Sequence, residues 1–121
     1  MKITKKEFAT LMSSYSIIFL GMTRKLYLDS ELECKISDIL NQSPKDRELM
    51  EHRNYTAHSA YLKANNGSRL YLDRCTFYKE SIGIGETVLV CERTEIDSFD
   101  GTENKICTYY LIDYANTTVK G

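Results

Sequence analysis

Near residue 53 the apolar side chains change their spacing, and that change limits what the chain can fold into. Before it, Phe8, Leu11, Met12, Tyr15, Ile18, Phe19 and Met22 recur at three- and four-residue intervals, which is one face of a helix. After it, apolar and polar residues alternate, the pattern of half-buried strands. A chain of 121 residues with helices first and strands second reads as one α+β domain, with no internal repeat or boundary. Its parts are a helical region over about 1–52, a sheet over about 53–114 and a polar tail over 115–121.

Local signals fill in this outline. Thr4-Lys5-Lys6-Glu7 is a capping box, in which hydroxyl and carboxylate satisfy free N–H groups at a helix start. It predicts a first helix over about 5–20, stopped at Gly21 or running one turn further to Arg24. Ser30-Glu31-Leu32-Glu33 is a second box, opening a helix with Leu32, Ile36, Ile39 and Leu40 on one stripe. Ser43-Pro44 starts a third over Lys45–Glu51. Four strands follow, over about 54–64, 69–79, 87–97 and 105–114. Short turns at Asn66-Gly67, Ser81–Gly85 and Asp97–Thr102 make them an antiparallel meander, with the N-terminal helices packed on it.

The turn positions fix a register. His58 falls opposite Cys75, Cys75 opposite Cys91, and Cys91 within one residue of Cys107. One reading of this rung is a structural zinc site, with Cys34 of the second helix as an extra ligand. Strands about 4.8 Å apart and zinc–sulfur bonds of about 2.3 Å demand a curved sheet for three such ligands. The other reading is that reduced cysteines serve as small apolar residues in a packed layer, with no cofactor required.

Alternation also sorts the faces. Leu70, Leu72, Val88, Val90, Ile96, Ile106 and Ile112 form an aliphatic face for the first helix, which would bury Phe8, Leu11, Tyr15 and Phe19. Leu62, Tyr71, Phe77, Leu89, Tyr109 and Leu111 share the other face with the cysteines, and that face needs a cover of its own. With Tyr71 and Tyr109 it offers an apolar-aromatic contact surface. The net charge is only −1, which excludes a strongly basic nucleic-acid binder and a polyacidic DNA mimic on the whole-chain average. Acids nevertheless cluster at Glu86, Glu92, Glu95, Asp97, Asp100 and Glu103, a strip suited to docking in a basic groove.

No catalytic or cofactor motif is present, so the expectation is a protein that binds rather than catalyses. The one enzyme reading is a Cys75 thiolate beside His58, without a third group or an oxyanion hole. Base stacking on Tyr71, Phe77 and Tyr109 is an alternative, but there is no RNP-type run and the basic residues lie mostly in the helical part. No apolar run approaches the roughly 20 residues of a membrane span, and no secretory leader is evident. The expected setting is the cytoplasm, with reduced cysteines, as a monomer or weak homodimer.

The opening Met1-Lys2-Ile3-Thr4-Lys5-Lys6-Glu7-Phe8 and the Asn/Lys/Ile/Tyr-rich usage resemble small proteins of phages and mobile elements of Gram-positive bacteria. A compact, motif-free α+β chain of this size resembles the anti-CRISPR proteins, of the kind that inhibit Cas9. The resemblance implies a protein partner, Cas9, blocked from loading guide or target DNA, and it assigns no residue a role. The near-neutral charge departs from the acidic DNA mimics of that class and leaves a local acidic patch as the contact.

Overall fold

A computed structural model describes residues 1–23, 30–47, 52–82 and 86–114. The turn over 83–85, the helix expected beyond Arg47, the Arg24 turn, the cap by the Ser30 side chain and the 115–121 tail lie outside the described residues. The chain is mixed α and β, as its two periods imply, but the strands form two antiparallel sheets and not one meander.

Helix α1 (Lys5–Ser14) starts as its capping box dictates, the Thr4 hydroxyl accepting the Glu7 N–H at 3.1 Å. It ends six residues short of the expected Leu20. The hydroxyls of Thr10, Ser13 and Ser14 donate back to the carbonyls of Lys6, Ala9 and Thr10 at 2.8, 2.8 and 2.6 Å. Such bonds compete with the helical ladder, and Tyr15 is already extended. Residues Ile17–Thr23 are strand β2, the edge partner of the last strand. The register slips between Phe19 and Gly21, a bulge with Gly21 at φ +140°.

Two more departures reshape the sheet. The expected strand over 54–64 folds on itself as β3 (Tyr55–Ala57) and β4 (Tyr61–Ala64), closed by the His58 N–H donating to the Tyr61 carbonyl at 2.9 Å. The expected strand over 69–79 breaks into β5 (Arg69–Tyr71) and β6 (Cys75–Ile82) around Arg74, whose φ is +62°. The order β3-β4-β5 makes a small sheet. The large one runs β1 (Lys2–Ile3), β6, β7 (Glu86–Ile96), β8 (Glu103–Ile112), β2. The β4–β5 turn spans Asn65 to Gly67, with Gly67 at φ +90° and the Ala64 N–H donating to the Ser68 carbonyl at 2.8 Å. Its third residue moves Leu62 opposite Leu70, one place from the expected register.

The large sheet is apolar on both faces. On one, Phe77, Leu89, Cys91, Tyr110 and Ile112 pack with Phe8 and Met12 of α1 and with Tyr55, Leu62 and Leu72 of the small sheet. Tyr110 is the hub, its ring 6.5 Å from Phe8, 6.0 Å from Phe19 and 6.3 Å from Tyr55. On the other, Val88, Val90, Cys107, Tyr109 and Leu111 pack with Ile18, Leu20 and with Ile36 and Ile39 of α2 (Ser30–Leu40). Helix α1 thus lies on the Phe77 and Leu89 face, and Val88 and Val90 belong to α2. The expected burial holds for Phe8, while Leu11 and Tyr15 are only partly buried and Phe19 is a strand residue.

A buried charge cluster ties the connection to the end of β8. Helix α3 (Pro44–Arg47) is capped by the Ser43 hydroxyl, which accepts the Asp46 N–H at 3.2 Å. It presents buried Arg47 to the fully buried Asp113 at 3.4 Å, and His52 meets the same carboxylate at 2.8 Å. Among the described residues no helix is long and apolar enough to cross a membrane.

These contacts set measurable stabilities. Phe8→Ala and Ile18→Ala should each reduce the free energy of urea unfolding by about 2–5 kcal/mol. Leu11→Ala, at a half-buried site, should cost less. A loss under about 1 kcal/mol for Ile18→Ala would remove residues 17–23 from the sheet. Asp113→Ala leaves Arg47 buried without its carboxylate and should cost about 3–5 kcal/mol by the same measurement.

Candidate functional site

The cysteine rung comes apart in three ways. Cys75 begins β6 opposite Arg93, and Cys91 sits opposite Phe77, so these two share a face as diagonal neighbours on adjoining strands. Cys91 faces Thr108 while Cys107 faces Glu92. That one-residue offset sends Cys107 to the α2 side, since successive strand residues point to opposite faces. His58 belongs to the small sheet, stacked on Tyr61 at 4.6 Å, and Cys34 is exposed on α2. Among the described residues no three His, Cys, Asp or Glu side chains gather around a metal position. The described contacts of Cys75 involve no imidazole.

What remains is a dithiol. The Cys75 sulfur lies 3.7 and 3.5 Å from the carbonyls of Tyr71 and Asp73, at the bend that parts the two sheets. A hydrogen bond from Cys91, helped by the Arg93 guanidinium, brings the Cys75 thiol down to about 7. The same bond and burial push Cys91 well above the ordinary thiol range. Cys107 is raised to about 11 by its burial and by the Glu92 carboxylate, to which its thiol donates at 3.8 Å. Cys75 and Cys91 line a pocket of about 20 Å³ with Leu70, Tyr71, Arg93, Ile106 and Thr108, room for a water-sized species and not for a substrate.

The acidic strip is real in part. Glu92 is buried, its carboxylate turned to Cys107 and, at 3.9 Å, to Lys105. Tyr109 is fully buried under α2, so neither residue offers a contact surface. Glu95, Asp97, Asp100 and Glu103 are exposed on the β7–β8 ribbon. Beyond Arg93 and Cys107 that ribbon has no further strand beside it among the described residues, so it projects from the sheet. Its tip is held by the Asp97 N–H donating to the Thr102 carbonyl at 2.9 Å and by Asp97 Oδ1 accepting the Phe99 N–H at 2.7 Å. Asp100 Oδ1 accepts the Thr102 N–H at 2.9 Å, and Thr102 holds that carboxyl below its usual range. Gly101 supplies the φ of +72° that closes the turn. Phe99 at the tip is 100% exposed and Ile96 68%. Sequence reasoning assigned Ile96 to the aliphatic core face by its alternation and placed Phe99 in the turn without a contact role.

Tyr71, by contrast, is exposed as a contact residue should be, but it belongs to the small sheet and not to the β7–β8 ribbon. It stands beside Tyr61 at 5.5 Å, and the Arg69 guanidinium lies 4.8 Å over the Tyr61 ring. With these surfaces in place, comparison adds no relative: no protein family, curated protein or solved structure matches this chain.

The dithiol is testable directly. In a Cys34→Ser background, alkylation of Cys75 should rise with pH through a midpoint near 7, with Cys107 unlabelled in the folded protein. Cys91→Ala removes the hydrogen bond and should move the midpoint up towards the ordinary thiol value of about 8.5. A parent midpoint already at that ordinary value would dissolve the pair.

Proposed function

We propose that this protein acts by binding, as an inhibitor whose β7–β8 ribbon enters the basic groove of a nucleic-acid-handling enzyme, with Cas9 the partner to test first. The observation that carries the reading is the ribbon tip: a fully exposed Phe99 held in a closed turn among Asp97, Asp100, Glu95 and Glu103. An aromatic anchor surrounded by like charge suits a groove that is positive at its walls and apolar at one point. The turn's internal hydrogen bonds order the tip before contact, which lowers the entropy lost on docking. The expected resemblance to Cas9 inhibitors points to the same kind of groove. Glu92 and Tyr109 leave the expected contact set, and Phe99 and Ile96 enter it.

Cleavage of a target DNA by several Cas9 orthologues, with the protein at micromolar concentration, tests the partner. Inhibition of at least one is expected, and inhibition of none would remove Cas9 from the reading. Against a responsive enzyme, Glu95 and Glu103 to Lys, which leave the Asp97 and Asp100 caps of the turn in place, should slow association and flatten its salt dependence. Phe99→Ala should instead speed dissociation, because a central anchor governs the off-rate. Neither change touches the buried core, so thermal stability should hold.

A further inference from the structure

The small sheet has one face in the core and one in solvent. Tyr55, Leu62, Ala64 and Leu72 point inward, and the alternate positions Thr56, Tyr61, Lys63, Arg69 and Tyr71 point outward. His58 joins the outer set by stacking on Tyr61 with an interplanar angle of 19°. Tyr61 faces Tyr71 and Lys63 faces Arg69 across β4 and β5, so an aromatic row lies beside a cationic row. Among the described residues no Asp or Glu stands on β3, β4 or β5, and Asp73 just beyond β5 is paired with Lys5 at 3.3 Å.

We propose that this face is a binding site for single-stranded nucleic acid, with bases stacked on His58 and Tyr71 and phosphates held by Lys63 and Arg69. The physical fit is in the pairing of two features. Exposed rings on a sheet present π-faces to unstacked bases, which every nucleotide can use whatever its sequence. Cations one strand position away neutralise the backbone that a stacked base necessarily carries beside it. A proline-rich peptide with basic flanks would meet like charge at Lys63 and Arg69 and find no carboxylate on these three strands to pair with. The duplex is excluded by the same geometry, since its bases offer edges and not faces. Three short strands span room for two or three nucleotides, the number that sheet platforms of this kind stack. The overall charge of −1 does not oppose this, because the site is local and its cations are Lys63 and Arg69 and not the lysines of the N-terminal segment.

The test is fluorescence polarisation with labelled 12-residue oligo-dT and oligo-U and with a 12-base-pair duplex, at low salt. Binding of either single strand above the duplex is expected, the tighter of the two naming DNA or RNA as the source. Tyr71→Ala should weaken it about 5-fold or more, the loss of one stacked base, and Tyr71→Phe, which keeps the ring, should restore it. Lys63→Ala and Arg69→Ala should each lower the slope of affinity against salt by about one ion. Lys63→Glu, an exposed change, serves if Tyr71→Ala disturbs the sheet, and should abolish binding. Phe99→Ala should leave it unchanged, which separates this site from the β7–β8 ribbon. No binding to either single strand, equal binding to the duplex, or binding only of a proline- or tyrosine-rich peptide run in parallel would overturn the proposal.

Discussion

The large sheet has no face to leave wet, and the rest of the molecule answers to that. From Thr87 to Glu92 strand β7 is buried at every position, and β8 from Tyr109 to Ile112 likewise. A strand of this kind must be covered twice. One cover is α1 with the small sheet, gathered on the Tyr110 ring; the other is α2, fixed to β2 by Lys35 donating to the Leu20 carbonyl at 2.7 Å. Each cover buries the full alternate set of side chains, so neither can slide by one residue without turning core outward. Buried Arg47 and Asp113 at the end of β8, joined by the half-buried His52, add a polar lock where the apolar layers stop.

The two proposed contact surfaces stand where this constraint is relaxed. On β7 the burial ends abruptly at Arg93, and from there the ribbon is free of covering layers. The small sheet is covered on one side only, which is why its outer positions hold tyrosine, lysine and arginine where the large sheet holds valine and leucine. A heavily packed body therefore carries one protruding ribbon and one open face. Both are built on strand pairs, with Phe99 on a turn closed by its own hydrogen bonds and Tyr61, Lys63, Arg69 and Tyr71 on the strands themselves.

Much of this was legible in the residues and some was not, for physical reasons. The Thr4 cap, the Ser43 cap and the β7–β8 pairing follow from side-chain chemistry and from a hairpin whose turn is rich in Asp and Gly. β2 was hidden because Ile17, Ile18, Phe19 and Leu20 are apolar on both faces, and a doubly covered strand has no alternation to distinguish it from a helix. The division into two sheets turns on Arg74, a side chain that seldom takes positive φ and so leaves no mark of a bend. The acids of the ribbon were visible, yet a single-residue offset on β8 placed Tyr109 and Leu111 with Leu89 when they belong with Val88. The open aromatic face could be read only once β4 and β5 were known to pair in their own sheet.

The identity of β2 also sets how much of the chain the sheet must span. Its local spacing favours continuation of α1, while its final partner, β8, is made some eighty residues later. Local preference and final pairing point in opposite directions over Ile17–Thr23, a conflict that most natural sequences avoid. Both edges of the large sheet are drawn from the first 23 residues and its centre from residue 75 onward, so each edge strand is held by a pairing that closes most of the chain into one loop.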